Sequence, residues 1–266
     1  MAVASAETAR REQTITVAGC RIHLLRSGKG APLLYLHGAG GGGKWLPFME
    51  QLAGSYEIIA PEHPGYGRSD TPDWFDNIHD VAYFYLDLLK ALDLDGVHLV
   101  GSSLGGWLAC EMAVRSTARL ASLTLIGSAG LHLKGVPRPD TFMWTPEEAV
   151  RGLFHDQALA EKMLTAPVSD DELEWQMKNR FATARLAWAP RFYDPHLHKW
   201  LHRIDVPTAV FWGAQDQLIP PVYAERFGEL IPGATVRTFE ACGHLPQVEQ
   251  PQAFVAAFTA FVGGAA

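Results

Sequence analysis

Short, largely apolar runs alternate along this chain with stretches in which apolar residues recur every three to four positions. The runs at 33–36, 57–61, 97–100, 122–126 and 207–212 read as strands, and their continuity fits burial on both faces of a parallel sheet. A further strand is expected at 235–239. Between them lie helical periods at 45–53, 107–115, 223–230 and 251–262, and a longer one at 78–92, where Val81, Phe84, Tyr85, Leu88, Leu89 and Leu92 form one apolar face. Ahead of the alternation, 14–17 and 21–26 flank Ala18-Gly19-Cys20 and predict an antiparallel hairpin at the sheet edge. Residues 1–12 read as a loose polar lead-in.

The rhythm stops after Gly127 and resumes near residue 205. Residues 128–204 offer helices at 145–154, 156–164 and 169–186 and no convincing strand. Thr145-Pro146-Glu147-Glu148 is an N-cap with proline in the first turn, and Ser169-Asp170-Asp171-Glu172 has the form of a capping box. The pattern predicts an α/β fold: a mostly parallel eight-stranded sheet with helices on both faces and a helical cap inserted after the sixth strand. Residues 1–127 and 205–266 form its core, and 128–204 the cap.

Composition narrows the function classes. Of 266 residues, 48% are hydrophobic and 19% charged, and the net charge is −7. No basic run or stripe is present to attract nucleic acid or an anionic membrane. Three widely spaced cysteines (Cys20, Cys110, Cys242) suit neither a disulfide framework nor a zinc site. The first twelve residues lack an apolar signal core, and no stretch approaches about 18 apolar residues. A soluble cytoplasmic protein is expected, monomeric or homodimeric, acting on a small molecule.

Candidate chemistry centres on Val97-His98-Leu99-Val100-Gly101-Ser102-Ser103-Leu104-Gly105-Gly106, where a strand becomes a helix. Gly101, Ser103 and Gly105 fill the G-x-S-x-G frame of a strained turn that exposes its central serine. Ser102 should point the other way. A serine hydroxyl needs a base to take its proton and an acid to orient that base. His244, just past strand 235–239, and Asp216, just past strand 207–212, both belong to the carboxyl edge of the sheet, and the order Ser103, Asp216, His244 is that of one known triad class. The glycine run after His37 admits three readings. As a P-loop, Gly38 to Lys44 lacks the following Ser or Thr, since Trp45 stands there; as a dinucleotide fingerprint it would call on Glu62; as a flexible loop it offers backbone N–H groups to an oxyanion. His37 matters there more through its backbone than its ring. His198 and His202 could share a helix face, but no acid stands at metal-motif spacing, and with His196 they read as polar cap surface. Arg180 and Arg185 are candidate carboxylate binders, with a solvated or salt-bridged role preferred.

Taken together, His37-Gly38 with its glycine loop, Gly65-Tyr66-Gly67-Arg68-Ser69, Gly101-Ser102-Ser103-Leu104-Gly105-Gly106, Asp216 and Gly243-His244 resemble the α/β-hydrolase fold family over essentially the whole chain. The resemblance implies Ser103 as nucleophile, His244 as base and Asp216 as its acid, with the N–H groups of Ala39 and Leu104 as oxyanion hole and no cofactor or metal. Phe142, Trp144, Trp188, Leu218 and Leu245 are the candidate substrate-binding residues. It further implies a serine hydrolase that cleaves carboxylic esters of small to medium, apolar or aromatic substrates through an acyl-enzyme. Cap length and glycine loop are similar to the carbon–carbon hydrolases of meta-cleavage products, whose Asn beside the nucleophile and Trp after the histidine are replaced here by Ser102 and Leu245. The same resemblance also admits lactonase chemistry and a small-molecule receptor built on this fold.

Overall fold

The computed structural model describes residues 10–264. The core runs β1 (Arg11–Val17), β2 (Cys20–Ser27), β3 (Ala31–Leu36), α1 (Pro47–Leu52), β4 (Tyr56–Pro61), α2 (Ile78–Ala91), β5 (Val97–Ser102), α3 (Leu104–Arg115) and β6 (Leu120–Ile126). After the inserted segment, with α4 (Pro146–Leu153), α5 (Gln157–Thr165) and α6 (Asp170–Ala187), come β7 (Thr208–Gly213), α7 (Val222–Leu230), β8 (Thr235–Phe239), α8 (Pro246–Glu249) and α9 (Pro251–Gly264).

The eight strands form one sheet in the order β1-β2-β4-β3-β5-β6-β7-β8. β2 is antiparallel to both its neighbours and every other pair is parallel. From β3 the chain crosses to β4 on one side and then back to β5 on the other. The carboxyl ends of β3 and β5 therefore flank a switch point, where α/β sheets leave a crevice. On one face α2, α3 and α7 bury Tyr85, Leu88, Trp107, Met112 and Phe227; on the other α1 and α9 bury Phe48, Met49, Phe254 and Phe258. Each such side chain contributes about 1.5–3 kcal/mol by burial, before the entropy of ordering is subtracted.

Several boundaries move. β1 begins at Arg11, inside the expected lead-in, because Arg11, Glu12 and Gln13 continue the backbone ladder opposite Arg26, Leu25 and Leu24 whatever their side chains; residues 1–9 lie outside the described residues. α1 starts at Pro47 with Leu46 as N-cap, not at 45, and α3 starts at Leu104, directly on the serine turn. The short α8 and three 3-10 turns (Thr141–Met143, Leu197–Lys199, Leu201–Arg203) carry no periodicity long enough to announce them. His198 and His202 consequently sit on separate 3-10 turns, both exposed, and share no helix face.

Both predicted capping signals are formed: Thr145 and Glu148 exchange side-chain and backbone hydrogen bonds at the start of α4, as do Ser169 and Glu172 at α6. The ends of the inserted segment meet where Gly130 accepts from Asp194 N–H and donates to Phe192 carbonyl. No described helix is long and apolar enough to cross a membrane.

Candidate active site

Ser103 stands between β5 and α3 with φ 56° and ψ −114°, a conformation costly for a residue with a Cβ. The turn is held from all sides: Ser103 N–H donates to Ile126 carbonyl (2.8 Å), and its own carbonyl accepts from Gly106, Trp107 and Ala129. Gly105 permits the tightness, since a Cβ there would stand 2.1 Å from the Leu36 carbonyl oxygen. Ser102 does face away: it is buried, and its hydroxyl accepts from Gln247 Nε2 at 3.0 Å.

The two other sequence candidates meet each other. His244 Nδ1 lies 2.7 Å from Asp216 Oδ2, with both side chains all but inaccessible. Asp216 Oδ1 accepts from Leu218 N–H and Ile219 N–H, each at 2.9 Å, so its acceptors are aimed before the histidine arrives. A carboxylate against Nδ1 fixes the tautomer with the proton on Nδ1 and leaves Nε2 as the free base. That Nε2 is buried and has no hydrogen-bond partner among the described residues, nor has the Ser103 hydroxyl. The ring covers Gly127, where an added Cβ would stand 3.0 Å from His244 Cε1. Gly127 follows Ile126, the register partner of Ser102, so histidine and serine share one corner of the sheet edge.

The third loop closes on the same corner. A Cβ at Gly38 would lie 3.2 Å from Ser103 Cβ, and the Ala39 N–H makes no backbone hydrogen bond among the described residues. Leu104 N–H, first in α3, receives no side-chain cap. Two N–H groups beside a serine, one at a helix start, suit developing negative charge. The His37 ring has a structural part beside that of its backbone. Its Nδ1–H donates to Gly38 carbonyl (2.7 Å), its Nε2 accepts from His63 N–H (3.0 Å), and it stacks on His63 at 3.7 Å. Burial pushes the His37 pKa down to about 4 and that of His63 well down too, so the pair is neutral.

The competing readings find no support in the geometry. Glu62 is buried against Arg68, accepting from its backbone N–H and guanidinium, and α1 starts only at Pro47, so the glycine loop opens no helix for a pyrophosphate. Arg185 pairs with Asp76 at 2.6 Å, while Arg180 is exposed. One trio with ligand-like spacing exists among the described residues, His79, Glu111 and Asp194, with ligand atoms within 4.8 Å of one another. The Arg115 guanidinium already serves it, donating to Glu111 Oε2 (2.6 Å) and His79 Nδ1 (2.8 Å).

A model of the alpha/beta hydrolase fold family matches residues 31–251. The chain belongs to this family, and it is a hydrolase. It is 29% identical, over 96% of its length and 92% of the relative's, to a 2-hydroxy-6-oxo-6-(2'-aminophenyl)hexa-2,4-dienoic acid hydrolase of Metapseudomonas resinovorans. Among solved structures it is similar to a serine hydrolase involved in carbazole degradation (26% identity, TM-score 0.74, covering 96% of this chain and 99% of that one). It is also similar to a bacterial membrane phospholipase A (25% identity, TM-score 0.79, covering 96% and 86%).

Of this hydrolase's five apolar site candidates, Leu218 and Trp144 converge. An added Cβ on Gly152 of α4 would meet both, at 3.1 and 2.6 Å, and Leu218 adjoins the Asp216 turn. Leu245 follows His244 and is half-buried. Phe142 packs edge-on against Trp188 and stacks on Phe192. Trp188 is 51% exposed, and one indole face carries the Arg191 guanidinium 3.5 Å from the ring centroid. It borders the aromatic cluster of Phe142 and Phe192, and at so exposed a position the cation–π contact is worth about 0.5–1 kcal/mol.

Residues that hold the site in place escaped the sequence. Glu249 accepts from Gly243 N–H (2.8 Å), beside the histidine, and from His155 N–H and Asp156 N–H between α4 and α5. His244 N–H donates to Leu153 carbonyl at 2.8 Å. Asn179, Thr183 and Tyr66 hold the glycine loop from the other side. Tyr66 lies in a motif that carries the family resemblance, but no local motif marks Glu249, Asn179 or Thr183, whose partners in the glycine loop and the histidine loop lie apart from them in sequence or carry no pattern.

Proposed function

We propose that this hydrolase cleaves carboxylic esters of small to medium apolar or aromatic substrates through an acyl-enzyme on Ser103. The observation that carries this is the buried Asp216–His244 pair with an unpartnered Nε2, in the corner that also holds the strained Ser103 turn. Ser103 Oγ attacks the ester carbonyl as His244 Nε2 takes its proton. The oxyanion is held by Ala39 and Leu104 N–H groups, each of which supplies about 2.7–4 kcal/mol in such sites. His244 then gives the proton to the departing alcohol. A water, deprotonated by the same nitrogen, attacks the acyl carbon and releases the acid, restoring the serine. Trp144, Leu218 and Leu245 supply the apolar contact with substrate. Three buried, unpaired thiols support a cytoplasmic setting.

A second reading, carbon–carbon bond hydrolysis of a meta-cleavage dienoate, is favoured by the dienoic acid hydrolase likeness. Ser102 and Leu245 speak against it, since they stand where those hydrolases carry Asn and Trp. Turnover of p-nitrophenyl butyrate and of a dienoate by wild type and Ser103→Ala separates the readings. Ester release abolished by Ser103→Ala is expected; dienoate turnover exceeding ester turnover would transfer the function to the second reading.

A further inference from the structure

The segment 38–43, which carries the Ala39 N–H, has little hydrogen bonding of its own: inside it, Gly41 N–H reaches Gly38 carbonyl at 3.1 Å. A run of glycines is the costliest backbone to hold in one conformation. Its central carbonyls are instead gripped by helix α6 of the inserted segment. Thr183 Oγ1 donates to Ala39 carbonyl at 3.1 Å, and Asn179 Nδ2 donates to Gly40 carbonyl at 3.0 Å. Asn179 Oδ1 meanwhile accepts from Gly67 N–H at 2.9 Å. With its one hydroxyl proton committed to Ala39, Thr183 Oγ1 accepts from the Tyr66 hydroxyl, 2.8 Å away. Tyr66 is fully buried, and burial raises its pKa, so it stays a donor throughout the working range. Loop and helix are shaped to each other: Gly41 has φ +102°, and a Cβ on it would stand 2.1 Å from Asn179 Nδ2.

We propose that Thr183 and Asn179 are positioning residues for the Ala39 oxyanion donor, which makes helix α6 a fixed part of the catalytic centre. The inference rests on the serine-hydrolase function proposed above. The Ala39 N–H shares a peptide plane with the Gly38 carbonyl, which His37 Nδ1–H (2.7 Å) and Gly41 N–H (3.1 Å) hold. Thr183 fixes the next plane through the Ala39 carbonyl and Asn179 the one after it, so the planes on both sides of Ala39 are held and with them the torsions about Ala39. Its N–H is then aimed before substrate arrives, as electrostatic stabilisation of a transition state requires. The start of the loop is fixed from the core, where His63 Nε2–H donates to His37 carbonyl at 2.9 Å. Core and inserted segment thus hold opposite ends of one loop.

The test uses p-nitrophenyl butyrate, phenylboronic acid as a tetrahedral mimic, and thermal melting of each variant. Thr183→Val, which keeps shape and loses the hydroxyl, is expected to lower kcat about 10- to 100-fold with KM within about twofold, and to weaken boronate binding by a similar factor. Thr183→Ser should recover kcat to within about threefold of wild type. The double variant Tyr66→Phe/Thr183→Val leaves no hydroxyl stranded; it should be as slow as the single one, and it replaces that variant if Thr183→Val does not fold. Ser103-dependent turnover with near-wild-type kcat in the folded Val variant, or activity regained in the double variant, would overturn the clamp alone. Wild-type protein without Ser103-dependent ester turnover would overturn the proposed function and the clamp with it.

Discussion

His244 Nδ1 and Asp216 Oδ2 stand 2.7 Å apart in a place solvent barely reaches, and the second carboxylate oxygen is already taken by two backbone N–H groups. The pair is therefore rigid as well as close. It fixes which ring nitrogen is free.

Asp216→Asn tests that consequence. The amide can accept only through one oxygen, so the imidazole loses the partner that keeps its proton on Nδ1. In a triad this wrong-tautomer effect costs about ten-thousand-fold in kcat with the geometry otherwise intact. Steady-state ester hydrolysis together with a circular dichroism spectrum checks it. A folded variant within tenfold of wild type would remove Asp216 from the mechanism.

Gly105→Ala addresses the turn itself. The added methyl would sit 2.1 Å from a backbone oxygen of β3, which cannot step aside without breaking the sheet. Overpacking against side chains costs about 1–3 kcal/mol, and a backbone obstacle leaves less room to relax. Urea denaturation should show at least about 3 kcal/mol lost or no soluble protein; an unchanged midpoint would contradict the geometry.

Glu249→Ala probes the link between the inserted helices and the histidine loop. Its carboxylate serves Gly243, His155 and Asp156, so the variant leaves three N–H groups to find water. A loss of about 2 kcal/mol is expected for this half-buried site, with kcat falling because Gly243 precedes the base. Equilibrium unfolding and ester turnover measured together decide it. Stability and kcat both unchanged would show that the link is idle.

The His37–His63 stack predicts an acid limit on stability. His37 titrates near 6.5 when unfolded and about 4 when buried, so between those values the unfolded chain binds a proton the native one refuses. Stability is full above about pH 7 and falls with pH through 6.5 towards 4, by about 3 kcal/mol from this group. Denaturation at pH 7.5, 6 and 5 gives the slope, and His37→Gln should reduce it, leaving the part that buried His63 contributes. A slope-free wild type would mean that the ring is solvated.

Sequence legibility followed distance along the chain. The Ser103 turn was readable because its glycines, strand and helix lie within a few residues, and the inserted helices because two of them begin with local capping boxes. Asp216 and His244 could be selected by position, each just past a strand of a parallel sheet. The glycine loop fitted three templates because glycine constrains so little. It became specific only through Asn179, 139 residues from its partner Gly40, a separation no local motif spans. The aromatic residues of the insertion stay ambiguous in sequence for a related cause. A Trp at helical spacing is equally at home in a core, a substrate wall or, like Trp188, under an arginine at the rim.

The central claim is that Ser103, activated by His244, is the nucleophile. Labelling with a fluorophosphonate probe followed by peptide mass mapping tests it directly. Modification of Ser103, abolished in Ser103→Ala and strongly slowed in Asp216→Asn, is the predicted result. Modification of Ser102 or another residue instead, or none in folded wild-type protein, would contradict it.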